Sequence, residues 1–328
     1  MKIIMPLLSI LLCFALLELG LRGHGWFLGN DRGVYPLAED KRLDWRPSEV
    51  PMTNKRQNFV GHDPIIYFTD HRGFRGFPKE HKPDKQTLLV IGDSYTQGLD
   101  VNQEEVYYES FTHQYNVYAF GAAGYGTYQQ YLSLKLFLNE IKPDLVILQF
   151  CSNDIINNSF ELTKLDSQNA VNFDRRFLLN GQEYKHSDLS FKFKLYQGLK
   201  FLRMADFFVS NFYKIKARLQ PKTLEVKITE GSIDLQYVKK EAVHTTEILR
   251  KIIGLVGLEK IRIFNVSGAS PLRDIYDEIT ADLGLKKLDE PIIEELYKTP
   301  DIFAKDGSHF NKKGHKMLGS GLISKLLE

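Results

Sequence analysis

Cysteine is nearly absent from this chain: 328 residues contain two, Cys13 and Cys151. Cys13 lies in an apolar N-terminal stretch, so Cys151 is effectively alone in the remainder and an intrachain disulfide framework is excluded. Two cysteines without a His/Cys spacing pattern also argue against a structural zinc site. Net charge is scarce too, at +2, which gives no reason to expect nucleic acid as a partner. No collagen-like tract, low-complexity segment or internal repeat is present. What the chain has is apolar content of 43%, enough for a sizeable core in one large α/β domain, or in one domain with appendages.

The N-terminus reads as an export signal. Lys2 precedes an almost unbroken apolar run from Ile3 to Leu17, interrupted by Glu18 and closed by Arg22. No A-x-A-like cleavage site follows. Counted through Leu21, the stretch reaches the short end of the roughly 17–25 residues that span a membrane. An uncleaved signal-anchor over 1–22 is therefore favoured over a cleaved signal peptide, with a helix buried in the globular domain as the third reading. Residues 23–85 are aromatic, charged and irregular, and read as a lead-in segment packing on the main domain, with turn chemistry around Gly73 and Gly76.

From Thr87 the texture changes. Apolar runs of strand length appear at Leu88–Ile91, Val117–Phe120, Leu145–Phe150 and Ile261–Val266. Helical stretches separate them: 102–114; 127–143, opened by Thr127 with Gln130 in a capping-box arrangement; 235–257; and 311–328 behind Asn311 as N-cap. Apolar strands alternating with helices predict an α/β domain over 86–328 with a parallel sheet covered on both faces. A segment rich in Phe, Tyr, Lys and Arg at 155–235 breaks the alternation. It reads as an insertion, partly helical from Phe191 to Arg218, serving as lid, docking surface or packing decoration.

Ligands in such folds bind at the carboxyl ends of the strands. After the first strand comes Ser94, and after the second the glycines 121, 124 and 126 of "FGAAGYGT". After the third come Asn153 and Asp154, and near the C-terminus "DGSH" supplies Asp306 and His309. Each has an ordinary reading as turn, loop or surface residue. Together they meet the needs of acyl transfer. A serine hydroxyl needs a base, which His309 supplies, and the imidazole needs a carboxylate, which Asp306 offers three residues away. The tetrahedral oxyanion needs preorganised donors: the backbone N–H of Ser94, one in the glycine turn, and the Asn153 amide.

These blocks resemble those of the SGNH hydrolases, also called GDSL esterases and lipases. "IGDSYTQG" is similar to their first block, with Ser94 as nucleophile. "FGAAGYGT" is similar to the second, which makes Gly124 the oxyanion-hole glycine. "CSND" resembles the third, with Asn153 as the other donor, and "DGSH" the last, with Asp306 and His309. "FTDHRGFRG" also looks like a segment upstream of the serine in membrane-anchored bacterial members. Two positions depart from the pattern: Ser152 where the third block usually has glycine, and Tyr95 where the name motif has leucine. The serine does not sit in G-x-S-x-G, which argues against the elbow of α/β-hydrolases. The resemblance implies a three-layer α/β/α sandwich of flavodoxin-like type and a serine esterase needing no metal or organic cofactor. With the export segment, it points to an O-acyl carbohydrate or a lipid ester outside the cytoplasm, and to a membrane-anchored or secreted protein. An O-acyltransferase using the same residues, and a non-catalytic envelope binding or assembly protein, are the alternatives. A binding module has no need of Asp306 and His309 together.

Overall fold

The computed structural model describes residues 12–22, 37–52, 65–166, 173–199, 201–219, 222–305 and 307–328. Residues 12–22 form a helix. Among the described residues no helix is long and apolar enough to cross a membrane. Residues 1–11 of the expected signal-anchor lie outside the described residues.

The lead-in contributes an antiparallel hairpin, β1 (Leu37–Asp40) and β2 (Asp44–Pro47). Its anchor is Trp45, fully buried, whose indole N–H donates to the Ala123 carbonyl at 3.0 Å. The Trp45 ring stacks on Phe173 and meets the edge of Tyr125, each at 5.3 Å.

The central sheet is built from β3 (Thr87–Gly92), β4 (Asn116–Gly121) and β5 (Leu145–Phe150). After a peripheral hairpin, β6 (Arg176–Leu179) and β7 (Gln182–Lys185), it is completed by β8 (Ile261–Asn265) and β9 (Lys286–Lys287). The order is β4-β3-β5-β8-β9, and every pairing is parallel. Continuous apolar runs suit strands covered on both faces, and all six residues of β3 are buried. Leu89 and Ile91 enter one core with Leu132, Phe137, Ile248 and Ile252 from helices Thr127–Ile141 and Val243–Val256. Leu88 and Val90 enter a second core with Tyr107, Phe111, Leu318 and Leu322. Alternation along one strand thus divides the molecule into three layers. The chain leaves β3 for β4 on one side and returns to β5 on the other, so the end of β3 is the topological switch point of a flavodoxin-like sheet.

Four details differ from the sequence reading. Residues 102–114 do not form an α-helix but two 3₁₀ turns, Gln103–Glu105 and Tyr107–Phe111, separated by an extended Val106. Tyr107, Tyr108 and Phe111 are all buried in this turn. The helix after β4 is capped one residue earlier than expected: Gly126 is the N-cap and its N–H donates to Gln129 Oε1 at 3.2 Å. The 235–257 stretch is two helices, Leu235–Glu241 and Val243–Val256. The β6–β7 hairpin was not anticipated, although Asn180-Gly181, both at positive φ, is a strong hairpin signal. Asn311 does cap the last helix, accepting from the N–H groups of Lys313 and Gly314.

Candidate active site

At the end of β3 the backbone is pressed against its neighbours. A Cβ on Gly92 would fall 2.1 Å from Thr96 Oγ1 and 2.3 Å from Gln149 Oε1, so only glycine fits. Asp93 then caps the short helix Ser94–Gln97, its Oδ1 accepting from the Tyr95 N–H at 2.9 Å. Ser94 is the first residue of that turn and is half-buried. Gly98 closes the turn in the left-handed region at φ 63°.

Two long-range clamps hold this turn. Thr96 Oγ1 donates to Gln149 Oε1 on β5 (3.0 Å) and shares a hydrogen bond with the Tyr107 hydroxyl (2.8 Å). Arg75, from the lead-in, is fully buried and donates to the carbonyls of Gln97 (2.8 Å), Gly98, Val101 (2.6 Å) and Asn102 (3.0 Å). Burial pushes its guanidinium pKa down.

The imidazole approaches from the other end of the sequence. His309 Nε2 lies 2.8 Å from Ser94 Oγ. On its Nδ1 side are Ser308 Oγ at 3.3 Å and the Asp100 carboxylate at 3.8 Å. Asp306 lies outside the described residues. Local bonds shape the loop that carries His309. Ala304 N–H donates to the His309 carbonyl (2.7 Å), Phe303 and Phe310 form a bridge, and the Asn311 amide donates to the carbonyls of Asp301 and Phe303. Tyr95 ties this loop to the serine turn: its hydroxyl donates to the Ser308 carbonyl at 2.6 Å, and its ring lies 5.1 Å from both His309 and Phe310. The tyrosine that departs from the leucine of the name motif therefore bridges the two halves of the site.

Gly124 follows β4 at φ +79°, a conformation that glycine adopts without strain. Its carbonyl accepts from the fully buried Arg175 at 2.5 Å. Arg175 also reaches Gln129 Oε1 and the Asn157 carbonyl, and its guanidinium lies over the Trp45 ring. Burial lowers its pKa to about 10. Asn153 opens the helix Asn153–Asn158 after β5 and is half-buried, its Oδ1 enclosed without a partner. Ser152, the other departure, has φ −56° and ψ −27°, ordinary helical values, so its backbone does not need glycine.

Behind these groups two carboxyls are enclosed. Asp93 is 1% exposed, and burial, opposed by the Tyr95 N–H and by His309, pushes it up to about 6. Asp154 is fully buried and is also pushed well above its ordinary value, first by burial and then by the charge of Asp93. At the base of the site the fold disfavours the charged form of both.

The structure thus brings Ser94 and His309 into hydrogen-bond contact and sets Gly124 and Asn153 at the ends of the strands on either side of β3. Sequence reasoning missed Arg75, Arg175, Asp100 and the role of Tyr95. The motif-like stretch around Arg75 was visible, but nothing local marked the other three.

A family model for GDSL-like lipases and acylhydrolases matches residues 88–322. Among solved structures, the chain is similar to the lipase/acylhydrolase from Enterococcus faecalis, at 16% identity over 73% of this chain and 95% of that one, with a TM-score of 0.40. It is similar to the psychrotrophic esterase EstA from Pseudoalteromonas sp., at 10% identity over 74% and 97% of the two chains, TM-score 0.40. A member of the lipolytic G-D-S-L family from Veillonella parvula gives 14% identity over 73% and 96%, TM-score 0.37. No curated protein matches the sequence.

Proposed function

The chain belongs to the GDSL-like lipase/acylhydrolase family and is a serine ester hydrolase, and from that premise we propose that it removes an O-acyl group, such as O-acetyl, from a carbohydrate of the cell envelope. The observation that carries the catalytic assignment is the 2.8 Å contact between Ser94 Oγ and His309 Nε2 at the switch point of the sheet. Ser94 Oγ attacks the ester carbonyl while His309 Nε2 takes its proton. Asp306 orients the imidazole, with Asp100 adding negative charge on the Nδ1 side. The N–H groups of Ser94 and Gly124 and the amide of Asn153 receive the oxyanion. Collapse releases the alcohol, which takes the proton from His309, and water then frees the acyl group by the same steps.

A sugar-borne ester is supported by aromatic surface next to the His309 loop. Tyr297 and Phe303 are 41% and 37% exposed and lie 5.6 Å apart, and Phe303 packs on Phe310. Such rings offer faces on which a sugar ring can rest. Export and anchoring through the apolar run Ile3–Leu17 behind Lys2 complete the reading.

The test is hydrolysis of p-nitrophenyl acetate and butyrate, with fluorophosphonate labelling and acetate release from an O-acetylated glycan. Ser94→Ala and His309→Ala should each lower kcat by about 10⁴-fold or more with folding intact, and the label should map to Ser94. Asp306→Asn should retain more activity than either. A Ser94→Ala protein with near-normal turnover overturns the catalytic assignment. Hydrolysis of the glycan's O-acetyl groups no faster than that of a simple lipid ester overturns the carbohydrate assignment alone.

A further inference from the structure

We propose that helices Phe191–Leu199 and Arg203–Leu219 form a surface that lies on an anionic lipid bilayer, independently of which ester is cleaved. In the second helix Met204, Phe208, Phe212, Ile215 and Leu219 recur at helical spacing, which places them on one face. Instead of being buried, Phe208, Phe212 and Leu219 are 56%, 63% and 77% exposed. The first helix repeats the arrangement with Phe191, Leu195 and Leu199, Phe191 being 80% exposed, while Phe193 turns inward to stack on His186 at 4.1 Å. Phe201, between the helices, is 68% exposed. A helix whose apolar face no core cluster of the described residues covers is suited to the boundary between headgroups and acyl chains.

Charge identifies the partner. Residues 191–222 contain eight Lys or Arg and a single acidic residue, Asp206, in a chain whose net charge is only +2. A second copy of the chain would set two equally basic stretches against each other. Anionic headgroups neutralise them, while the acyl region receives the phenylalanines.

Position supplies the third argument. The helix at residues 12–22 joins this surface at its corner. The Glu18 carboxylate accepts from the Arg203 and Met204 N–H groups at 3.0 and 2.9 Å, and Arg22 donates to the Phe201 carbonyl at 3.0 Å. A carboxylate at the first turn satisfies otherwise unpaired donors and complements the helix dipole. Leu12, Leu16 and Leu19 of the joined helix are 60%, 59% and 64% exposed. Three apolar faces therefore converge at one vertex.

The experiment uses the full chain with Cys13→Ser, Cys151 being buried, and an environment-sensitive fluorophore on Phe212→Cys, on Phe191→Cys, or on Lys312→Cys as a distant control. Far-UV circular dichroism checks each fold. The proteins are bound to vesicles of phosphatidylcholine alone or mixed with phosphatidylglycerol, with brominated lipid or aqueous iodide as quencher. The expected result is blue-shifted emission and brominated-lipid quenching at 212 and 191 but not at 312, strongest with phosphatidylglycerol and weakened by Lys192→Gln/Lys194→Gln. The proposal is overturned if both labels remain open to iodide while the protein is vesicle-bound, which is anchoring by the N-terminal run alone. It is equally overturned if both labels are shielded without lipid as protein concentration rises, which is pairing of two copies.

Discussion

Strand β3 and the helix Arg203–Leu219 are both apolar, and they spend that character in opposite ways. In β3 all six residues are buried, whereas the helix exposes Phe207, Phe208, Phe212, Ile215 and Leu219. The difference is one of period. A continuous apolar run can be covered on both faces only inside a sheet, and its end then becomes a rigid place to hold a nucleophile. A stripe at helical spacing needs covering on one face only, and here the described residues leave that face exposed. If the helix meets a bilayer as proposed, chemistry and attachment are separated, and substitutions in the two regions should have separable effects.

The largest of these effects tests the carboxyl end of the sheet. Asn153→Ala should lower kcat on p-nitrophenyl acetate by about 10²–10³-fold, the cost of one oxyanion donor, without changing Tm. Phe208→Ser, on the exposed helix, should leave the same assay unchanged. Equal losses from both would erase the distinction. Next comes Arg175→Met, which strands the half-buried Gly124 carbonyl. It should cost about 1–3 kcal/mol of stability in denaturant melts and roughly tenfold or more in kcat by displacing the Gly124 N–H. Full activity in that variant would detach Arg175 from the site.

These cases also show what the sequence made legible. Ser94, Gly124, Asn153 and His309 could be found because each sits in a short motif just after an apolar run or near the C-terminus. The flavodoxin-like sheet could be found because its four longer strands are predominantly apolar stretches of strand length. Arg175, Arg75 and the Tyr95–Ser308 bond could not, since their partners lie 51, 22 to 27 and 213 residues away. Such pairings depend on register and loop path, which composition does not encode locally. The Tyr107–Phe111 turn was misread as α-helix because its apolar residues fit either period over so short a span.

A subtler effect is pH dependence. Burial raises Asp93 from its ordinary 3.8 to about 6. An acid whose pKa is higher in the fold than in the unfolded chain stabilises the protein below its ordinary pKa, and that contribution is lost as pH rises through about 6. Asp93→Asn imitates the protonated form. Its unfolding free energy relative to the parent should therefore improve by on the order of 2 kcal/mol between about pH 4 and pH 7. His186 and His315, lowered to about 4 and about 3, act with the opposite sign over part of that range but cancel in the difference. A difference independent of pH would refute the assignment. The smallest effect is expected from Tyr95→Phe, which removes one bond to the His309 loop and should cost about fivefold in kcat with unchanged KM.

Arg75 carries a consequence for where the catalytic unit begins. The recognisable blocks start at β3, so a chain cut at residue 86 would retain Ser94, Gly124, Asn153 and His309. It would lose the guanidinium that satisfies the carbonyls of Gln97, Gly98, Val101 and Asn102. Four carbonyls would each lose a buried charged donor, and the turn that carries Ser94 would have to loosen toward water. The smallest heritable unit of this catalyst is therefore longer than its signature, and its true N-terminal limit lies upstream of the arginine.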